Sequence, residues 1–138
     1  MICNDWKEFF GEFRKILHGG DVNCMNAKAG GVQMALLPEI NTMMDAQRAR
    51  RLNISINAPK IDFIREELIE EFRKMGFNYY RDKLEEFECF QRWYDLAEGD
   101  AEDLKELIMR AFDLLGVEVP PIVAEVAFFP RSMARLVW

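Results

Sequence analysis

Cysteine, histidine and closely spaced carboxylates are the residues of this sequence whose types lend themselves to chemistry. Cys3, Cys24 and Cys89 are its three cysteines, and His18 is its single histidine. A thiol activated by an imidazole makes a nucleophile, so His18 with Cys3 or Cys24 is the pair to weigh. The cysteine spacings match no zinc or redox pattern, and an odd number leaves no closed disulfide set. They read as reduced thiols of a reducing compartment. Cys89, inside an aromatic run, reads as a small core residue. His18 precedes Gly19-Gly20 at a helix end, where its cationic form complements the helix dipole.

The carboxylates give a second set. Glu66/Glu70 and Glu67/Glu71 are spaced to project from one helix, as in carboxylate metal clusters. No histidine stands at matching spacing. A solvated face supported by pairs such as Glu70–Lys74 accounts for them. Glu98 and Asp100 have the types for acid–base work, but Asp100 sits where a helix cap is needed. Phosphate loops, nucleophile elbows and zinc spacings are missing from the sequence. The expectation is a protein that is not an enzyme, with no catalytic residue, no metal site and no cofactor.

The elements that must position these residues follow from periodicity. Residues 4–18 carry Trp6, Phe9, Phe10, Phe13, Ile16 and Leu17 at helical spacing, with Asn4 or Asp5 as cap. Residues 21–38 read as a hairpin about Ala29-Gly30-Gly31. Val22, Cys24 and Asn26 alternate with Met25 on the first strand, Val32, Met34 and Leu36 repeat at period two on the second, and Pro38 ends it. Residues 39–49 leave a helical turn or a loop open. Residues 50–58 alternate Leu52, Ile54, Ile56 and Ala58 with Asn53, Ser55 and Asn57, a strand buried on one face.

A second helix covers 61–75, with Ile61, Ile64, Leu68, Phe72 and Met75 inward and Gly76 as its stop. Residues 77–96 read as a second hairpin. Its last strand sets Phe87, Cys89, Gln91 and Trp93 against Glu88, Phe90, Arg92 and Tyr94, with aromatics on both faces. Asp100 caps a third helix, and Asp103 completes a capping box. That helix carries Leu104, Leu107, Ile108, Ala111, Phe112 and Leu115, and Gly116 stops it. Residues 122–129 fit a strand or a short helix, and the tail 131–138 is apolar enough to dock. The fold class is α+β. An antiparallel sheet of about five strands with three helices is expected in one domain, 1–138, in the order α-β-β-β-α-β-β-α.

Charge narrows the function classes. The net charge is −6, distributed unevenly. Residues 61–118 hold 17 acidic and 8 basic side chains, and the remainder holds 7 acidic and 10 basic. Such a surface repels phosphate backbones, so no nucleic acid is expected as a partner. Arg48, Arg50 and Arg51 form the one basic cluster, read as a solvated edge. No stretch is apolar enough for a membrane span, and no secretory signal is recognised, so a cytoplasmic protein is expected.

The segments LNISINAP, RKMGF, FQRWYDL, DLKELIMRAFDLLGV and VPPIVAEVAF resemble the YbjN-type family over residues 52–129, and the element order resembles the type III secretion chaperone fold. Met-Gly-Phe stands where the family pattern has Leu-Gly-Trp. The resemblance implies a small acidic, often dimeric protein that binds another polypeptide and does no chemistry. The expected function is therefore a protein-binding module, chaperone-like or adaptor-like, whose partner is another protein or an extended peptide segment. A homodimer would absorb the surplus of aromatic area. Phe90, Trp93 and Tyr94 are the first candidates for the partner surface, followed by Met34 and Leu36. At least one of Phe90 and Tyr94 is expected to be exposed. The alternative is a small acidic inhibitor or immunity protein, in which Glu66, Glu67, Glu70, Glu71, Glu85, Glu86 and Glu88 mimic phosphate charge to block a nucleic-acid-handling enzyme.

Overall fold

The computed structural model describes residues 1–18, 22–38, 48–49, 51–59, 66–81, 87–95, 100–117, 121–128 and 135–136. Its elements are β1 (Ile2–Cys3), α1 (Trp6–His18), β2 (Val22–Ala29), β3 (Val32–Pro38), β4 (Arg48–Ala49), β5 (Arg51–Pro59), α2 (Glu66–Lys74), β6 (Asn78–Arg81), β7 (Phe87–Asp95), α3 (Ala101–Leu114), β8 (Ile122–Phe128) and β9 (Arg135–Leu136). Seven strands form one sheet in the order β1-β8-β2-β3-β5-β7-β6, with every neighbour antiparallel. β4 and β9 make a separate short parallel pair.

The α+β class, the three helices and the antiparallel sheet are as the sequence leads one to expect. The sheet is wider, with seven strands instead of about five. The five anticipated strands form its contiguous block β2-β3-β5-β7-β6. The additions lie beyond β2, where residues 122–128 adopt the strand alternative and pair with both β2 and β1. β8 turns Ile122 and Ala124 inward and leaves Val123 and Glu125 exposed. Two residues, Ile2 and Cys3, are too few to show a period, so β1 has no signal of its own.

Local signals fix the element ends. Asp5 Oδ1 accepts from Glu8 N at 2.7 Å, capping α1. Asp100 accepts from the backbone N–H groups of Glu102 and Asp103, and Asp103 accepts from Asp100 N, which completes the anticipated capping box of α3. α2 ends in a Schellman turn, with Phe77 N donating to Phe72 O and Gly76 N to Arg73 O. That turn requires the left-handed φ of +86° that Gly76 supplies. α3 ends the same way at Gly116. Residues 61–65, the start expected for the second helix, lie outside the described residues, as do the tail positions 131–134 and 137–138.

The β2–β3 hairpin turns through Gly30 and Gly31, both at positive φ. A two-residue loop sets Ala29 opposite Val32, so the inward Val32, Met34 and Leu36 of β3 fix Ala29, Ala27 and Met25 inward on β2. The inward set of β2 therefore belongs to the phase of Met25, and Asn26 faces the other way. β5 behaves as its alternation demands, with Leu52, Ile54, Ile56 and Ala58 all buried.

One core joins the helices to this inner face. Trp6, Phe9, Phe10 and Phe13 of α1 form a chain of ring contacts, and Trp6 meets Phe112 of α3 at 4.8 Å. Phe72 of α2 stacks on Phe90 of β7 at 3.9 Å and 18°. Burying several aromatic rings together dominates the stabilisation of such a layer. Among the described residues, no helix is long and apolar enough to cross a membrane.

Candidate functional site

The helices pack against one face of the sheet, and the opposite face is where Trp93 emerges, 47% exposed. Register builds that outer face from rows across the strands. Leu37 of β3 pairs with Asn53 of β5, which pairs with Trp93 of β7. The next row reads Ala35, Ser55, Gln91 and Asn78, and the next Gln33, Asn57, Cys89 and Tyr80. The centre of the face is thus mostly uncharged amide and hydroxyl side chains, with Ala35 and Cys89 among them, bordered by exposed apolar groups and by charged ones, Arg51 opposite Asp95 and Lys28 opposite Gln33. Leu37, Tyr80, Val123 and Ile2 are all exposed. Arg51 lays its guanidinium 4.9 Å from the Trp93 ring centroid, a cation–π contact that braces the indole.

A directed hydrogen-bond chain crosses these rows. The Tyr80 hydroxyl donates to Gln91 Oε1 at 3.1 Å. Gln91 Nε2 donates to Asn53 Oδ1 at 3.2 Å. The chain stops there. Asn53 is only 5% exposed, and its Nδ2 has no acceptor. A buried donor left unmade costs about 1–3 kcal/mol, which marks this amide as the anomalous polar group of the face.

Of the five sequence candidates for a partner surface, only Trp93 lies at the surface. Phe90, Tyr94, Met34 and Leu36 are buried in the core. The expectation that Phe90 or Tyr94 is exposed is overturned. Both faces of β7 are aromatic, so its own pattern does not choose an inward face. The choice comes from pairing with β5, which aligns Tyr94 with Leu52 and Phe90 with Ile56, and from Phe72 covering Phe90. Leu37, Asn53 and Tyr80 also belong to this face, outside the five candidates. Their signal is being on the outward phase of strands whose inward phase is apolar.

The candidate chemical groups disperse. Cys3 and Cys89 are buried and in no disulfide, Cys3 in the core and Cys89 on the outer-face rows. Burial, reinforced by Glu8 and Glu12, pushes the Cys3 thiol up, away from a thiolate nucleophile. The side chains of His18 and Cys24 lie outside the described residues. Asp100 is a cap, as above, and Glu98 is not described.

No three of the described His, Cys, Asp and Glu residues group to hold a metal. The α2 carboxylates pair as a solvated face would, Glu70 with Arg73 at 2.6 Å and Glu71 with Lys74 at 3.2 Å. Arg110 of α3 also approaches Glu71, at 3.5 Å. Cations therefore interleave this acidic face. Glu88, counted among the phosphate-mimicking carboxylates by the inhibitor reading, is buried and accepts from the Tyr79 hydroxyl. Comparison of the chain with known protein families, with curated proteins and with solved structures finds no match.

Proposed function

We propose that this chain is a non-catalytic protein-binding module, chaperone-like or adaptor-like, which receives another polypeptide on the outer face of its sheet. One observation carries the reading. Three helices cover the inner face, while the outer face keeps Trp93, Leu37 and Tyr80 exposed around an uncharged polar centre. Tryptophan and tyrosine at such positions supply large contact area at small entropic cost and recur as binding hot spots. The order α1-β2-β3-β5-α2-β6-β7-α3 runs within a longer chain of elements that also has β1, β4, β8 and β9, so it matches the arrangement that the secretion-chaperone resemblance implies only in part. That order supports the class of function but not a particular client.

The inhibitor reading has less behind it, because Arg73, Lys74 and Arg110 break up the α2 carboxylates and Glu88 is interior. Selection of phage-displayed random peptides against the chain and against Trp93→Ser tests the proposal. Enrichment of related sequences on the wild type, lost with Trp93→Ser, is the expected result. Absence of any Trp93-dependent enrichment overturns it.

A further inference from the structure

The outer-face row Leu37–Asn53–Trp93 has a geometry that selects among polypeptides. Leu37 and Trp93 stand two strands apart, about 9.4–9.8 Å at ordinary inter-strand spacing. A β-extended ligand repeats its same-face side chains at about 6.6–6.8 Å and does not match. A polyproline II segment repeats every three residues, about 9.3 Å, and does match. Between the two apolar posts sits Asn53, whose Nδ2 is the unused donor at the end of the Tyr80–Gln91–Asn53 chain. A polyproline II backbone makes no internal hydrogen bonds, so its carbonyls need donors. Proline residues bring no N–H of their own, so they ask for no acceptors. The supply and the demand are complementary, and the uncharged row sets no requirement for a charged ligand.

We infer that the outer sheet face binds a proline-rich segment in the polyproline II conformation laid across β3, β5 and β7. Trp93 and Leu37 take side chains one turn apart, and Asn53 Nδ2 donates to the carbonyl between them. Aromatic-lined recognition of this preformed, low-entropy helix is a recurring mode of peptide binding. Asn53 Nδ2 is shielded from water in the free chain. Leu37 and Trp93 flank Asn53 in its row, so the ligand that seats on them lies over the donor and reaches it once side chains of this face shift, with no backbone rearrangement. The unmade hydrogen bond is then a stability cost of the free chain that binding removes.

The inference rests on the polypeptide-binding reading and narrows it. The test is titration of acetylated decaproline amide into the full chain by calorimetry, with a Gly/Ser decapeptide as control. One-to-one binding of decaproline alone is expected. Asn53→Leu and Trp93→Ala each weaken it tenfold or more, and Leu37→Ser weakens it severalfold. Asn53→Leu melts close to the wild type, because removing the orphaned Nδ2 donor offsets the loss of the Gln91 Nε2–Asn53 Oδ1 bond, and that melt also shows that the variant folds.

Decaproline that fails to bind at millimolar concentration overturns the inference, as does binding that Asn53→Leu and Trp93→Ala leave unchanged. A Trp93-dependent dimer in light scattering overturns it too, since a second copy would then cover the face. If decaproline fails while displayed peptides still bind through Trp93, the general reading survives and this one falls. If neither binds, both fall.

Discussion

The two faces of the sheet are built from the same strands, residue by residue in alternation, yet they are different materials. The inner face is closed by the chain itself, with Phe72 stacked on Phe90 and the α1 aromatics over β2 and β8. The outer face carries Asn53, Ser55, Asn57 and Gln91 across its middle, with single aromatics at the margins. On the inner side the described large apolar groups pack on one another and are buried or half-buried by the chain itself. On the outer side Trp93 is braced but uncovered and Asn53 Nδ2 is covered but unbonded. The contrast separates residues that hold the fold from residues held by it.

The sharpest way to break this contrast is to truncate two aromatics three positions apart on β7. Phe90→Ala should cost about 3–5 kcal/mol, the usual range for deleting a buried phenylalanine. Trp93→Ala should cost about 0.5–1 kcal/mol, mainly its contact with Arg51. Urea denaturation of both variants measures the difference, and equal losses would dissolve the distinction. The next effect tests how β7 grips the helix layer. Arg92 Nη1 donates to Met75 O at 2.8 Å, at the end of α2, where a cation also complements the helix dipole. Arg92→Met keeps the apolar stem and loses that bond, at about 1.5–3 kcal/mol. An unchanged melting curve would show that α2 docks through its rings alone.

Smaller effects sharpen the rim and the outside of the helix layer. Gly30 sits at φ +55°, and a Cβ there would lie 2.6 Å from Val117 Cγ1. Gly30→Ala should cost about 1–2 kcal/mol from the left-handed backbone, plus the clash. The additional change Val117→Ala should restore the clash portion only, as a double-mutant cycle would read. Gly11 lies mid-helix on the wet side of α1, and a Cβ added there would meet nothing within 4 Å. Gly11→Ala should therefore raise stability by about 0.5–1 kcal/mol, seen as a higher thermal midpoint. A loss there would mean that something covers this side of the helix.

Much of the inner face was legible in the sequence because its signals are local. Leu52 to Ala58 alternate cleanly, Trp6 to Phe13 share one helix stripe, and Gly76 and Asp100 mark helix ends by their own chemistry. The phase of β7 was not legible, since Phe90 and Trp93 both look like core residues until β5 and Phe72 select one of them. β1 was invisible because two residues have no period. The outer-face row was the least legible part. Leu37, Asn53 and Trp93 are ordinary in isolation and become a site only through the register of three strands, and register is set by turns and by the opposite face.

The pairing of β1 and β2 with β8 has a kinetic consequence. The β2–β3 and β6–β7 hairpins close short loops, whereas Met1 bonds to Ala124 across 123 positions of chain. Contacts of such separation form late, because the entropy of closing the long loop comes due before they can reward it. During synthesis, the β2 edge therefore waits unpaired until Ile122–Phe128 has left the ribosome, and that interval is when the chain is most open to edge-to-edge aggregation.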